Sequence, residues 1–405
     1  MNSRERVINS IEFKPVDRVP IDLGGMASTS ISAFAYPKLR EYLGLEKRRS
    51  IVYDTGQMLA LPEKDVLDIF HVDVVTTNGV YTNAFDCSDM FEPYDFNGRL
   101  FALVQDKSKF TVDPDGTVWQ GAGRMPPSSV VFDSEHAGNP LDLKAELYKP
   151  DLSRLKDQIN NYKPDYNAIK KKISFLEKLR CSTERAIFLN GDSIHLDLIG
   201  GIANGTMLCV LEPDYMHELN KLQTEYAIKR FEATFKHYKD YVDIIMISSN
   251  DLGTQNTTYM HPDLIDEIYF TYYKQMNEYV KSIAPNVKIF LHSCGAVYDL
   301  IEIVAKAGFD ILNPVQWTAG GKSYKQWKDK ARRKICLWGG GVDSQHLLPL
   351  GTGEEVYRQA REVCNYMIQD TGYVFCNIHN ILAEIPSENI VALYKAAFYS
   401  NIAQR

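Results

Sequence analysis

From about Ala186 onward, short apolar runs alternate with longer stretches in which apolar residues recur at helical spacing. A short apolar run is typical of a buried strand, and a longer stretch with a period near 3.6 is typical of a helix. The pattern predicts strands at 186–189, 244–247, 288–292, 311–312, 335–338 and 373–375. It predicts helices at 212–241, 264–283 and 300–307. Alternation of this kind favours repeated βα units around a parallel sheet.

Polar residues and glycines follow each predicted strand. These loops begin at Asn190, Ser248, His292, Asn313, Gly339 and Cys376. In a parallel α/β barrel the loops after the strands share one face, where active sites lie. We therefore predict one (β/α)8 TIM barrel domain over residues 1–405, with its site on that face.

Residues 81–150 differ from the rest of the chain because they are rich in turns and strand-like runs. Pro114-Asp115-Gly116 predicts a hairpin turn between two of these runs. We expect a β-rich insertion that caps the barrel mouth, although a peripheral β-meander fits the same pattern. Residues 1–17 predict a helical N-terminal extension with Asn2 and Glu5 as a capping box.

Charge and composition narrow the classes of partner. The chain has 405 residues and a net charge of -7, with its lysines and arginines scattered instead of clustered, which disfavours nucleic acid. No apolar run is long enough for a transmembrane helix, and the charged start of the chain does not resemble a signal peptide. We expect a cytoplasmic protein, in which the seven cysteines serve as core residues, metal ligands or nucleophiles.

His292 and Cys294 carry the main chemical prediction. They lie two residues apart at the end of a predicted strand, so both side chains point to the same side and could chelate a metal. Cys376 closes a later strand and is expected to reach the same pocket. One histidine and two thiolates favour a catalytic zinc ion with a vacant fourth position. Taken alone, a histidine two residues before a cysteine is more often a packing feature.

Other strand-end residues are weaker candidates. Asp251 directly follows a strand and is predicted to orient a ligand or the substrate, a catalytic role. Candidates for substrate binding are Asn250, Gln316, Trp338, Asp343 and His379. A solvated turn is an equally good interpretation of the two aspartates, and a buried turn histidine is an equally good one of His379. Gln316 is also a candidate fourth zinc ligand.

Several of these segments resemble the uroporphyrinogen decarboxylase superfamily. They are Glu5-Arg6-Val7, Asp17-Arg18-Val19-Pro20, Asn250-Asp251-Leu252-Gly253, Phe290-Leu291-His292-Ser293-Cys294-Gly295, Ile311-Leu312-Asn313-Pro314-Val315-Gln316 and Trp338-Gly339-Gly340-Gly341. The His-x-Cys pair with a distant cysteine resembles the metal pattern of the zinc-dependent, corrinoid-linked methyltransferase branch. On this resemblance His292, Cys294 and Cys376 are the zinc ligands.

The resemblance implies methyl transfer between a small molecule and the cobalt of a corrinoid (cobalamin) protein. We favour O-demethylation of a methoxyaromatic substrate, because Trp317, Trp338 and Tyr373 offer rings for stacking. Transfer from cobalt to a thiol of the coenzyme M type is the alternative, and a non-catalytic corrinoid or tetrapyrrole carrier is another. Decarboxylation fits less well, since residues 21–39 lack the arginines with which the decarboxylases grip a porphyrinogen. The sequence leaves open whether the protein forms a homodimer.

Overall fold

A parallel sheet forms the centre of the structure, a computed structural model that describes residues 1–133, 147–190, 196 and 199–400. Its parallel strands follow one another in chain order: Val74–Asn78, Ala186–Asn190, Ile244–Ser248, Lys288–His292, Ile311–Asn313, Cys336–Trp338 and Tyr373–Val374. The short strand Tyr81–Thr82 pairs antiparallel with the first of them. All the strands predicted after Ala186 are confirmed, each within one or two residues. The Val74–Asn78 strand was not predicted.

Residues 20–22 contact both outer parallel strands. Ile21 forms a parallel bridge with Phe375, and the backbone N–H of Asp22 donates to the Phe375 carbonyl at 2.8 Å. On the other side, the Ile21 carbonyl accepts from the N–H of Asp73 at 2.7 Å. The sheet is therefore curled, and one segment near the start of the chain joins its two edges.

A buried ion pair network holds that segment in place. The fully buried carboxylate of Asp73 accepts from Arg6 at 2.6 Å and from Arg18 at 2.7 Å. It also accepts from the backbone N–H of Ile21 at 2.9 Å, while Arg6 binds Asp17 as well. The Glu5-Arg6-Val7 and Asp17-Arg18-Val19-Pro20 motifs thus have a structural role, because their arginines neutralise Asp73.

Alternate residues of the parallel strands fill the interior of the curled sheet. Phe188, Phe290 and Trp338 pack there edge to face. Asp22 is fully buried at the edge of this cluster, where it accepts from the Trp338 indole N–H at 2.9 Å and from the Gly25 N–H at 2.8 Å. Burial raises the pKa of Asp22 from 3.8 to about 6, although these hydrogen bonds oppose the shift.

Helices surround the sheet. Their bounds are Ser3–Ile11, Tyr36–Tyr42, Lys64–Ile69, Ser153–Asn161, Tyr166–Ser182, Gly201–Leu211, Pro213–Ala233, Pro262–Ile265, Thr271–Ile283, Ile301–Lys306, Tyr324–Ala331, Leu347–Leu350, Gly353–Met367 and Ser387–Phe398. The predicted Asn2–Glu5 capping box is present. The helix predicted at 212–241 ends at Ala233 and continues as two 3-10 turns. Within the described ranges, no helix has both the length and the apolar character needed to cross a membrane.

Two smaller sheets lie outside the parallel one. One contains, in spatial order, Ile31–Ser32, Leu59–Ala60, Ile51–Asp54, Phe101–Val104 and Glu92–Asp95; the other contains Gly123–Met125, Val118–Gln120 and Phe110–Val112. The hairpin turn predicted around Gly116 is present between Phe110–Val112 and Val118–Gln120. Three strands of the first sheet come from before residue 81, outside the predicted insertion. Residues 134–146 of that insertion lie outside the described ranges. Ile31 bridges Ile381 in the loop after the last parallel strand; the role of residues 81–150 as a cap stays a prediction.

The buried carboxyl of Asp22 predicts a pH dependence of stability. Because its pKa is about 6 in the folded protein and 3.8 ordinarily, the folded chain retains a proton that the unfolded chain releases within this window. This group therefore lowers the free energy of unfolding as the pH rises through the window, by about 3 kcal/mol in total. The free energy of unfolding of Asp22→Asn, relative to that of wild type, should rise by up to that amount between about pH 4 and pH 7. Urea unfolding at the two pH values measures it.

Asp22→Asn also removes the oxygen that accepts from the Trp338 indole. This loss changes the free energy of unfolding equally at both pH values, so it cancels when the two values are compared. Asp113 provides the matched control, because it also accepts from an indole N–H, that of Trp119 at 2.8 Å, but is exposed. Asp113→Asn should not reproduce the gain. An Asp22→Asn difference that is equal at both pH values would contradict the prediction.

Candidate metal centre

His292 ends its strand with a defined tautomer. Its strand pairs with Ile311–Asn313 so that His292 lies opposite Asn313, and its Nδ1 lies 2.6 Å from the Asn313 Oδ1. The Asn313 amide N–H donates to the Trp338 carbonyl at 2.9 Å, which fixes the amide oxygen towards the ring. The histidine Nδ1 therefore carries the proton, and Nε2 is the ring nitrogen that could bind a metal.

Two loops cross tightly to position Cys294. Gly295 has a φ of +92°, and a Cβ there would overlap the backbone of Gly253 in the neighbouring loop. The N–H of Cys294 donates to the Asp251 carboxylate at 2.8 Å, and the N–H of Gly295 donates to the Gln316 Oε1 at 2.7 Å. These contacts give a physical reason for both glycines and place the Cys294 Sγ 3.3 Å from the His292 Nε2.

His379 completes a cluster of three ligand atoms. One atom each from His292, Cys294 and His379 lies within 4.8 Å of the other two, the one such cluster among the residues that the structure describes. The Nδ1 of His379 lies 2.8 Å from the Asn380 Oδ1, and the Asn380 amide N–H donates to Gln57 at 3.2 Å. An asparagine amide thus orients this histidine too and leaves its Nε2 free.

Further polar groups surround the His292 Nε2. The Ser28 Oγ lies 3.3 Å away and an Asp251 carboxylate oxygen 3.8 Å away. Ser28 comes from the N-terminal segment that Asp22 anchors through Gly25. Burial, and secondly the charge and hydrogen bond of Asp251, raise the pKa of the Cys294 thiol. The site is therefore rich in electron-pair donors. Among these contacts it contains a carboxylate but no lysine or arginine.

Cys376 lies outside this cluster. It is fully buried among the interior residues, together with Val374 and Trp338, and its Sγ donates to the Asn377 carbonyl at 3.2 Å. The alternation of side chains along the last strand turns it into the packed interior, where burial raises the pKa of the thiol. His379, three residues further into the loop, reaches the cluster instead.

A cavity of about 270 Å³ adjoins the cluster. Cys294, His379 and the predicted Gln316 line it. Gln316 therefore lines the cavity and, through its Oε1, accepts a hydrogen bond from the Gly295 N–H.

Three predicted substrate residues make other contacts. Asn250 donates to the Leu196 carbonyl, Trp338 is fully buried beside Asp22, and the Asp343 carboxylate accepts from the backbone of the turn that follows it. They do not line the cavity. Ser28, Asn313 and Asn380 were not predicted as site residues. The sequence signal for Asn313 and Asn380 is their position at the end of a strand or in the loop after one. The sequence carries no such signal for Ser28.

The donor set fits a zinc ion. Two imidazole nitrogens and a thiolate sulfur are ligands that zinc prefers, and three protein ligands leave a position for a reacting group. The two asparagine amides supply the outer contacts that zinc-binding histidines generally have.

Comparisons with known proteins identify a solved structure with a similar fold. The chain is similar over 98% of its length, and 98% of the other chain, to the structure of a methyltransferase from Methanosarcina mazei, with a TM-score of 0.52 and 16% identity. It also aligns with an endo-1,4-beta-mannanase from Rhizomucor miehei, over 94% of each chain, with a TM-score of 0.37 and 12% identity; this likeness is too low for any inference. No curated protein matches the sequence.

The sequence profile of one family, Uroporphyrinogen decarboxylase (URO-D), matches residues 197–398. The matched residues include the strands that end at His292 and Asn313 and the loops that contain Cys294 and His379. By this match the chain belongs to the uroporphyrinogen decarboxylase superfamily.

Proposed function

We propose that this protein is a zinc-dependent methyltransferase that moves a methyl group from a small methylated molecule to the cobalt of a corrinoid protein. The cluster of His292, Cys294 and His379 at the strand ends is the observation that carries the proposal. The similarity in fold to a methyltransferase from Methanosarcina mazei supports it. The cavity beside the cluster gives the substrate a place to bind.

In this proposal His292, Cys294 and His379 hold the zinc. A zinc ion held there would supply Lewis acid chemistry, under which the atom that carries the methyl group would become a better leaving group. Asn313 and Asn380 keep both histidines in the ligating tautomer, and Asp251 holds the Cys294 loop. Gln316 supports the same loop and borders the substrate.

Decarboxylation of a tetrapyrrole has less support. Such a substrate brings several carboxylates, which need arginine or lysine partners in a binding site. The described residues that line the cavity include neither.

We further propose that residues 20–22 act as a first strand and close the sheet as a full (β/α)8 barrel. The backbone hydrogen bonds of Ile21 and Asp22 to both edges support this closure. The site then lies at the carboxyl ends of the strands, the usual place in this architecture.

The assignment of the third ligand predicts different zinc contents for two variants. Wild type should purify with about one zinc ion per chain. His379→Ala should lose most of it because it removes a ligand, whereas Cys376→Ser should keep it. Elemental analysis measures both. Zinc retained in His379→Ala and lost in Cys376→Ser would return Cys376 to the ligand set.

Asn313 should affect zinc affinity without contacting the ion. Asn313→Ala removes the acceptor that fixes the His292 tautomer, so zinc affinity should fall by about 10- to 100-fold. Competition with a chromogenic chelator measures this. Asn389 is the control, because it is also buried and donates to backbone carbonyls, at 2.8 and 2.9 Å, but outside the site. Equal zinc affinity in Asn313→Ala and Asn389→Ala would contradict the role of Asn313.

The reaction itself is tested with free cob(I)alamin and panels of methyl ethers, methyl thioethers and methylamines. The zinc-loaded wild type should produce the methylcobalamin absorption spectrum with at least one compound. His379→Ala should lower the rate by about 100-fold or more, since a Lewis acid contributes several kcal/mol. No methylcobalamin with any compound, or equal rates in both proteins, would argue against the proposal.

A further inference from the structure

A surface groove of about 840 Å³ shares one loop with the metal cavity. Leu382 and Ile385 line the metal cavity, whereas Ala383 and Glu384, which lie between them in the chain, line the groove. The same loop contains His379, the third residue of the cluster. A molecule bound in the groove therefore contacts the loop that borders the metal site.

Positive charge is concentrated in this groove, although the whole chain has a net charge of -7. Lysines and arginines that are scattered along the chain come together there, and Glu384 is the one acidic side chain among the described lining residues. The cations are Lys38, Lys47, Arg48, Arg49 and Arg99. We call this surface the basic groove. A surface of one sign attracts ligands of the opposite sign.

Three of these cations lack an acidic partner within the described ranges. Lys47 and Arg48 form ion pairs with nearby glutamates. In contrast, Lys38, Arg49 and Arg99 form no ion pair with any carboxylate that the structure describes. Their charge is therefore available to an acidic ligand.

Two of the unpaired cations are held in position by uncharged groups. The Arg49 guanidinium lies 4.0 Å from the centre of the Phe101 ring, and Arg99 donates to the Pro126 and Ser129 carbonyls at 2.8 and 3.0 Å. Rings and carbonyls orient a guanidinium without cancelling its charge. Because these arginines are already oriented, a ligand that binds them loses little side-chain entropy.

Exposed apolar side chains lie among the charges. Phe101 is 51% exposed and Val130 is 38% exposed, and both line the basic groove. Leu382, in the shared loop, is 45% exposed. Arginines and aromatic rings are enriched in protein interfaces, whereas a small anion such as phosphate gains nothing from an exposed apolar surface. The mixture therefore favours a protein partner.

We infer that the basic groove is the docking surface for an acidic, partly apolar face of the corrinoid protein that the metal site serves. This inference rests on the proposed function, in which a protein carries the cobalt to the site. That protein must contact the loops around the metal cavity, and residues 379–385 border both the cavity and the basic groove. Opposite charges on the two faces raise the rate of encounter and favour the correct partner.

A labelled peptide tests the basic groove without any reaction. The probe is a fluorescein-labelled peptide of glutamate, serine and leucine, and its neutral counterpart has glutamine in place of glutamate. Fluorescence anisotropy measures the binding of each to the full chain. The acidic peptide should bind about 10-fold or more tightly than the neutral one. This preference should shrink when NaCl is raised from about 20 to about 300 mM, because salt screens exposed charges.

Variants locate the binding. The double variant Lys38→Gln, Arg49→Gln should bind the acidic peptide about 5- to 10-fold more weakly, because two unpaired cations are lost. Phe101→Gln should weaken binding at both salt concentrations, since it removes an apolar contact. The matched control is Lys170→Gln, Lys171→Gln, which removes the same charge from exposed positions outside the groove. This control should keep the wild-type affinity.

Cobalamin attached to the two peptides tests whether docking serves the metal site. Each conjugate is reduced to the cob(I)alamin state and mixed with a methyl donor. At low concentration, wild type should methylate the acidic conjugate about 5-fold or more faster than the neutral one, because docking raises the effective concentration of cobalt beside the site. The ratio of the two rates should fall towards one in Lys38→Gln, Arg49→Gln and should not change in Lys170→Gln, Lys171→Gln.

Equal binding of the two peptides, or equal weakening in the groove variant and its matched control, would overturn the inference. It would also be overturned if tripolyphosphate or a single-stranded oligonucleotide displaced the acidic peptide more effectively than the unlabelled peptide does, because the groove would then bind a small anion or nucleic acid. Methylation of free cob(I)alamin with no advantage for the acidic conjugate would support the proposed function and contradict the docking surface. Specific binding of the acidic peptide without methylation of any cobalamin would support acidic docking and contradict the proposed reaction.

Discussion

The buried carboxylate of Asp73 holds the start of the chain against the parallel sheet. Two arginines from separate motifs, Arg6 and Arg18, neutralise it, and the N–H of Ile21 binds it directly. Removal of both arginines would leave an uncompensated buried charge, which costs about 3–5 kcal/mol. This requirement fixes residues 20–22 between the two outer strands, and the positions of the following residues depend on it.

The candidate metal centre depends on that anchoring through a short series of contacts. Asp22 binds the Gly25 N–H and the Trp338 indole, and the segment that follows carries Ser28 to within 3.3 Å of His292. The Trp338 carbonyl orients Asn313, which orients His292. Residues far apart in the chain therefore set the tautomer of one ligand, and rigid strand ends keep it in position.

The chemistry of the site is divided between its two parts. The cluster concentrates a thiol, two imidazoles and the nearby Asp251 carboxylate, a set suited to a cation. The adjoining cavity contains no aspartate, glutamate, lysine or arginine among its described lining residues. Two of the aromatic residues that suggested a flat substrate, Trp338 and Tyr373, are fully buried.

The sequence alone determined the strands after Ala186 and the His292–Cys294 pair, because hydrophobic period and local spacing encode these features. Its motifs indicated the superfamily by resemblance. It did not reveal the edge contacts of residues 20–22, since one isolated bridge and a few backbone hydrogen bonds need no apolar run. It also favoured Cys376 over His379 as the third ligand. Only the tertiary structure, through the alternation and twist of the last strand, directs the Cys376 thiol inward and brings the His379 ring to the cluster, since the two residues lie just three positions apart.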